Sequence, residues 1–214
     1  MRMIFFIVLL VQFPQSNKQK KDYPNMRILL LDNYDSFTYN LLHLLEQVDG
    51  LEVDVIRNDE LIPEEAAKYE AIILSPGPGL PSEAGRMPEL IRNFAPQKKI
   101  LGVCLGHQAI AEYCQATLEN LEQVLHGVST ITTVQVPDDP LFRNIPGTFR
   151  TGHYHSWVVS SKNLPQNIVP LAFDEKGNIM AIRLLNLPVW GIQFHPESIL
   201  TDYGKQLIVN WLEA

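Results

Sequence analysis

Short apolar runs alternate with helical patterns from Met26 onward, and this alternation predicts most of the secondary structure. Four segments are predicted to be strands, over residues 26–31, 51–56, 71–74 and 99–103. Apolar residues spaced three or four apart predict helices over residues 37–48 and 83–94, and Pro63 can begin a short helix that ends at Tyr69. Strands that alternate with helices are typical of a parallel α/β sheet.

The pattern changes in the second half of the chain. Here β-prone segments follow one another, separated by loops rich in Pro, Asp and Asn, and this indicates antiparallel hairpins. The segments are residues 128–136, 156–160, 168–173 and 179–184. A last apolar strand begins at Val189, and residues 203–212 are predicted to form a closing helix. The fold expected is a three-layer α/β fold with a mostly parallel open sheet and a small antiparallel addition.

The first 25 residues differ from the rest. Their apolar run, residues 4–11, is too short to span a bilayer as a helix. With Arg2 before it the run resembles the core of a signal peptide, but residues 12–16 offer no small-x-small cleavage site. We expect residues 1–25 to be an extension outside the core or a start assigned too far upstream. Residues 26–214 are then one domain of a cytoplasmic protein with no membrane association.

Composition narrows the function classes. Of 214 residues, 46% are hydrophobic and 19% charged, as in an ordinary globular protein. A formal net charge of -7 argues against non-specific binding to nucleic acid. Two cysteines are too few for a disulfide framework, which favours a reducing compartment. Cys104 and Cys114 do not have the Cys-x-x-Cys spacing or the histidine pair of a zinc site, so no metal site is expected.

Cys104 is the first candidate for chemistry. It lies between Gly102 and Gly106, where a predicted strand turns into a helix. This is the cysteine form of the nucleophile elbow, in which a strained turn exposes a nucleophile above the sheet. Small residues are needed beside it because neighbouring backbone passes close. The positive end of the following helix favours the thiolate. The alternative is a cysteine buried only for packing.

A second candidate is the segment of residues 75–79, which we call the glycine loop. It has the sequence Ser-Pro-Gly-Pro-Gly and follows the predicted strand 71–74. It does not match a dinucleotide-binding or Walker loop, and alone it could be a rigid connector. In an open parallel sheet, however, the carboxyl ends of neighbouring strands meet at one crevice. Backbone N–H groups of Gly77 or Gly79 could therefore stabilise an oxyanion formed at Cys104.

The third candidate is the pair His195 and Glu197, which ends the last strand. Residues two apart on an extended segment point to the same side, and Pro196 favours extended backbone at His195. A histidine oriented by a carboxylate is what a cysteine nucleophile requires. Residues 152–157 also contain two histidines and two aromatic residues, a pattern compatible with a surface loop, a core segment or a site.

Together these motifs resemble the class I (triad) glutamine amidotransferases. Within that family the chain is most similar to the small subunit of anthranilate synthase and the glutaminase subunit of aminodeoxychorismate synthase. The resemblance covers residues 27–214 and rests on five ordered motifs. They are residues 31–40 (LDNYDSFTYN), 75–79 (SPGPG), 102–108 (GVCLGHQ), 154–156 (YHS) and 194–201 (FHPESILT).

The resemblance implies a flavodoxin-like fold and a reaction. Cys104 would attack the carboxamide of L-glutamine, with His195 as base and Glu197 as its orienting carboxylate. Ammonia would leave, and water would hydrolyse the γ-glutamyl thioester. The remaining roles are also implied: the backbone N–H groups of Leu105 and Gly77 as the oxyanion hole, and substrate binding by Pro78, Gly79, Gln108, Ser156 and Trp157.

The resemblance also implies a partner. Ammonia would pass to a separate chorismate-binding synthase, for which no domain remains in this chain. The expected partner is anthranilate synthase, and the alternative is aminodeoxychorismate synthase. No cofactor is expected here, whereas the partner would use Mg²⁺. Family members often carry a lysine at the position of Val128 and an arginine at that of His153. If that lysine and arginine serve partner contact or product specificity, those roles are not transferred to Val128 and His153.

Two rival functions stay open at this point. One is a cysteine peptidase or similar hydrolase on the same fold, although the glycine loop and Gln108 favour a small amino-acid substrate. The other is a non-catalytic binding subunit, against which the complete set of Cys104, His195 and Glu197 argues.

Overall fold

The computed structural model describes residues 25–214. Its strands are β1 (Met26–Asp32), β2 (Leu51–Arg57), β3 (Ala71–Leu74), β4 (Lys99–Val103), β5 (Leu118–Val134), β6 (Thr148–Val159), β7 (Ile168–Asp174), β8 (Ile179–Leu184) and β9 (Val189–Ile192). Its α-helices are α1 (Thr38–Glu46), α2 (Met87–Phe94), α3 (Leu105–Tyr113) and α4 (Gly204–Glu213). Short 3₁₀ segments occupy Pro63–Lys68, Pro81–Glu83 and Pro140–Phe142. The predictions for residues 1–24 lie outside the described residues.

All these strands form one sheet, in the order β2-β1-β3-β4-β9-β8-β7-β5-β6. The pairs from β2 to β9 are parallel, and those from β9 to β6 are antiparallel. The parallel part has the strand order of flavodoxin-like folds. The predicted mostly parallel sheet with an antiparallel addition is therefore confirmed, and the two parts form one continuous sheet.

Helices cover both faces of the parallel part. In β1, Leu29 and Leu31 belong to one buried apolar cluster, whereas Ile28 and Leu30 belong to another, because successive side chains of a strand point to opposite faces. The first cluster includes residues of α2 and α3, and the second includes residues of α1 and α4. This gives the three layers.

No helix in the described part of the chain is long and apolar enough to cross a membrane.

The prediction of one helix over residues 83–94 was wrong. The 3₁₀ segment Pro81–Glu83 is separate from α2, which begins at Met87. Gly85 has a φ of +50° between them, a backbone conformation that interrupts a right-handed helix. Pro88 lies in the first turn of α2, where its missing N–H is not needed.

The strands predicted over residues 128–136 and 156–160 begin earlier in the structure than predicted. Strand β5 already starts at Leu118 and β6 at Thr148. The first ten residues of β5 are all half-buried or exposed, so they show little apolar alternation. Residues 152–157, left open between loop, core and site, lie inside β6.

Candidate active site

The candidate residues follow the carboxyl ends of three neighbouring parallel strands. The glycine loop follows β3, Cys104 follows β4, and residues 193–197 follow β9. Because β4 pairs with both β3 and β9, these segments meet at one edge of the sheet, where α/β proteins bind their ligands.

Cys104 occupies a strained turn between β4 and α3. Its φ of 52° and ψ of -101° are rare for a residue with a side chain, and such conformations cluster at functional sites. Its backbone N–H donates to the carbonyl of Ile192 at 2.8 Å, which ties the turn to the end of β9. Cys104 as a whole residue is only 5% exposed. The turn is therefore held by the sheet on one side and by the helix on the other.

The glycines beside Cys104 allow this turn. A Cβ on Gly102 would lie 2.4 Å from the carbonyl carbon of Gly106, and a Cβ on Gly106 would lie 2.6 Å from the carbonyl oxygen of Leu74. Real Cβ atoms do not approach backbone so closely. The prediction that neighbouring backbone requires small residues here is confirmed.

His195 and Glu197 form a buried pair. Nδ1 of His195 lies 2.7 Å from Oε1 of Glu197, and the side chains are 2% and 0% exposed. The backbone of His195 is fixed by its N–H, which donates to Gly152 at 3.1 Å, and by its carbonyl, which accepts from the Thr201 hydroxyl at 2.6 Å. With Nδ1 used by the carboxylate, Nε2 is the ring atom left for chemistry.

The electrostatics of the pair favour a charged imidazole. Burial alone would lower the pKa of His195, but interaction with Cys104 and with Glu197 outweighs burial and holds that pKa well above its usual value. A histidine that holds its proton beside a thiol is the arrangement of a thiolate–imidazolium pair.

A polar network fixes the start of the glycine loop. The side-chain amide of Asn33 donates to the carbonyl of Ser75 at 2.9 Å, and the backbone N–H of Asn33 donates to the Ser75 hydroxyl at 2.9 Å. The amide of Asn58 donates in turn to Oδ1 of Asn33 at 3.0 Å. A Cβ on Gly77 would lie 2.6 Å from Cβ of Asn33 and 2.7 Å from Cδ2 of Leu105, so only glycine fits there.

A pocket of about 140 Å³ opens above the sulfur. Most of the predicted site residues line it, together with Tyr154 and His155. The predicted residues are Gly77, Pro78, Gly79, Cys104, Gln108, Ser156 and Trp157. Leu105 is not among its lining residues and lies beside Gly77 instead. The residues predicted from separate motifs thus come together, while their individual roles stay predictions.

Gln108 uses its side-chain nitrogen inside the protein. Nε2 donates to the carbonyl of Trp157 at 2.8 Å and to Oε1 of Gln193 at 3.1 Å. These two bonds occupy both amide hydrogens. Oε1 is therefore the atom of Gln108 that is left to accept a hydrogen bond from a ligand.

Sequence reasoning missed Gln193 as a site residue. Its side chain is fully buried, and Nε2 lies 3.6 Å from the sulfur of Cys104. Its place in the Gly-Ile-Gln-Phe-His segment just before His195 gave a local signal, but only the pairing of β4 with β9 shows the contact. Asn33 and Ser75 were part of recognised motifs without an assigned role.

The remaining residues singled out from the sequence are not among those that line the pocket. Cys114 is a buried free thiol whose sulfur accepts from Asn167 at 3.1 Å, as expected for a packing residue. Val128 is 38% exposed on β5. His153 is buried in β6, with Nε2 at 2.9 Å from the Thr151 hydroxyl and Nδ1 at 3.1 Å from His155. Among residues 25–214 no group of three or more potential ligands is placed to hold a metal.

Comparison with known proteins identifies the family of the chain. Residues 29–214 match the family model for class-I glutamine amidotransferases. The chain is 42% identical over 195 residues to anthranilate synthase component 2 of Pseudomonas putida, covering 88% of this chain and 97% of that one. It is 39% identical over 189 residues to aminodeoxychorismate/anthranilate synthase component 2 of Bacillus subtilis, covering 87% and 96%. A solved glutamine amidotransferase of Thermotoga maritima is similar in fold, with a TM-score of 0.64 at 16% identity over 88% and 81% of the chains.

Proposed function

Because the chain belongs to the class I glutamine amidotransferases, we propose that it hydrolyses L-glutamine and supplies the ammonia to a separate chorismate-using synthase. The observation that carries this proposal is the buried Cys104–His195–Glu197 cluster, whose sulfur opens on one small pocket. The glutaminase half-reaction needs only side chains and backbone groups of this chain, so no cofactor is proposed for it.

The proposed reaction has two stages, the formation and the hydrolysis of a thioester on Cys104. The Cys104 thiolate attacks the carboxamide carbon, and the new oxyanion accepts hydrogen bonds from the backbone N–H groups of Gly77 and Leu105. The imidazolium of His195 gives its proton to the leaving nitrogen, which departs as ammonia. His195, now neutral, takes a proton from water, and the hydroxide attacks the thioester. Glutamate leaves, and the thiolate returns. Glu197 stabilises the imidazolium throughout.

The pocket favours glutamine over a peptide. Its volume of about 140 Å³ is below the roughly 300–1,000 Å³ of pockets that hold larger ligands. In the proposed pose, Gly79 and the backbone of Ser156 and Trp157 hold the amino-acid end of the substrate. Oε1 of Gln108 accepts a hydrogen bond from its ammonium group.

The partner is proposed from the relatives. Both curated relatives described above are named as component 2 of anthranilate synthase, and the Bacillus protein is also named for aminodeoxychorismate synthase. We therefore place anthranilate synthase first and aminodeoxychorismate synthase second. The cytoplasm is the proposed compartment, since both cysteines are free thiols and the reaction requires a reduced Cys104.

The test uses the complex of this chain with its synthase partner. Cys104→Ser should abolish synthesis from glutamine and leave synthesis from added ammonium salt at the wild-type rate. Cys114→Ser is the matched control and should retain both activities. If Cys104→Ser in a folded complex retained glutamine-dependent synthesis, the proposed nucleophile would be wrong.

A second experiment decides which of the two synthases is the partner. The chain is used to capture its partner from a lysate, and the purified complex is given chorismate and glutamine. Anthranilate as the only aromatic amine product supports anthranilate synthase as the partner. Aminodeoxychorismate as the product supports aminodeoxychorismate synthase. Peptide cleavage without any glutaminase activity in the complex would contradict the proposed function.

A further inference from the structure

Gln193 is placed against the nucleophile by the pairing of two strands. Strand β9 ends at Ile192, whose carbonyl accepts from the N–H of Cys104 at 2.8 Å. Gln193 is the next residue, and its backbone N–H donates to the carbonyl of Met180 at 2.9 Å. Its side chain has no exposed surface. A buried amide at this position must find partners inside the protein.

The orientation of the Gln193 amide follows from a backbone carbonyl. The carbonyl of Trp157 can only accept, so the atom of Gln108 that faces it at 2.8 Å must be its nitrogen. That nitrogen also faces Gln193 at 3.1 Å, so the facing atom of Gln193 must be the oxygen. The nitrogen of Gln193 is then the atom 3.6 Å from the sulfur of Cys104. Gln193 therefore presents a donor, and not an acceptor, to the sulfur.

A donor fixed toward the sulfur has a definite chemical effect. A thiolate accepts a hydrogen bond more strongly than a thiol does, since bonds to charged groups are stronger than neutral ones. The Gln193 amide favours the thiolate over the thiol, and it also holds the sulfur on the pocket side of the turn. His195 alone cannot hold the sulfur in place, because it also has to move protons during the reaction.

We propose that Gln193 is a further catalytic residue, whose amide stabilises the Cys104 thiolate and connects it through Gln108 to the substrate pocket. The proposal rests on the proposed function for its role in turnover, but the thiolate effect itself can be measured without glutamine.

The test is the rate at which iodoacetamide alkylates Cys104, measured against pH on the full chain. The thiolate displaces iodide to form a thioether, and peptide mass spectrometry reads Cys104 separately from Cys114. Gln193→Leu should move the rate profile of Cys104 about one to two pH units higher, the effect of losing one hydrogen bond to a charged group. Gln193→Glu, of the same shape, should move it at least as far, because a carboxylate opposes the thiolate.

Two further variants make the result specific. Gln193→Met provides a second apolar replacement of similar length in case the leucine variant does not fold. Asn210→Leu is the matched control: Asn210 is also a buried amide, donating to the carbonyls of Leu141 and Arg143 at 2.9 and 2.7 Å. It should lower the thermal stability without moving the alkylation profile.

The outcomes separate the two proposals. Coincident pH profiles for wild type and a folded Gln193→Leu or Gln193→Met variant would overturn the role of Gln193. Absence of glutaminase activity in the wild-type complex would overturn the proposed function, while the alkylation comparison would still decide the role of Gln193. A shifted profile with a reduced glutamine-dependent kcat supports both.

Discussion

At the scale of single residues, His195 and Glu197 determine whether Cys104 can act. Their side chains are almost completely buried and lie 2.7 Å apart at Nδ1 and Oε1. A buried imidazolium without a carboxylate would be strongly disfavoured. The carboxylate thus has two effects: it fixes the ring so that Nε2 is free for proton transfer, and it stabilises the charged state that the thiolate needs.

Glu197→Gln should therefore lower glutamine-dependent synthesis by roughly 100- to 10⁴-fold, because a neutral amide neither stabilises the imidazolium nor fixes the tautomer. The measurement is the kcat of the complex with glutamine, compared with its rate with ammonium salt, which should not change. Glu60→Gln, at a largely exposed ion pair with Arg57, is the control and should retain full activity. An active Glu197→Gln enzyme would contradict the assigned role.

The sequence predicted the residues whose roles are set within a local motif and missed one whose role depends on a distant contact. Cys104, with its flanking glycines, and His195 with Glu197 each form a motif within a few residues. Gln193 acquires its role from Cys104, 89 positions away in the chain. The contact depends on the register that pairs Val103 with Ile192, and no spacing along the sequence reveals that register.

At the scale of elements, the turn from β4 into α3 brings helix and sheet backbone into close contact. Gly106 lies against the backbone of Leu74 on β3. Alanine at this position would gain up to about 1 kcal/mol of helix propensity. It would also place a Cβ 2.6 Å from a backbone oxygen that cannot move without disturbing the sheet.

Gly106→Ala should therefore be destabilised by about 1–3 kcal/mol, because overpacking outweighs propensity. Urea unfolding measures the free-energy change. Gly147→Ala is the matched control, since a Cβ there would meet nothing within 4 Å, and its effect should stay within about 0.5 kcal/mol. Equal stability of the two variants would show that the elbow tolerates a larger residue.

Element boundaries were predictable only where apolar periodicity set them. Strands β1, β3 and β4 are rich in apolar residues and β2 alternates apolar with polar ones, and the sequence located all four to within a residue. The beginning of β5 has no buried residue and no regular apolar alternation, and it joins the sheet through its backbone pairing with β6. The start of α2 depends on the positive φ of Gly85, which a glycine permits but does not require.

At the scale of the whole molecule, three buried histidines make stability depend on pH. Burial lowers the pKa of His107 to about 4, that of His153 to about 4 and that of His155 to about 3. In the unfolded chain a histidine has a pKa of about 6.5. Below that pH the unfolded state takes up protons that the folded state does not.

The free energy of unfolding should therefore fall as the pH falls from about 6.5 to about 4, by up to about 1.4 kcal/mol per pH unit for each histidine. His195 has a raised pKa and contributes no slope well below pH of about 6.5, where it is charged in both states. Urea unfolding at several pH values measures the slope. His107→Gln should reduce the slope by up to about 1.4 kcal/mol per pH unit, the contribution of one proton. A His107→Gln slope equal to that of the wild type would contradict the account.

The central claim, that Cys104 attacks the carboxamide of glutamine, is tested most directly by covalent labelling. The wild-type complex is treated with an electrophilic glutamine analogue and digested, and the peptides are identified by mass spectrometry. We expect one adduct, on Cys104, with Cys114 unlabelled and with protection by excess L-glutamine. Labelling of Cys114 instead, or labelling of Cys104 that glutamine does not slow, would contradict it.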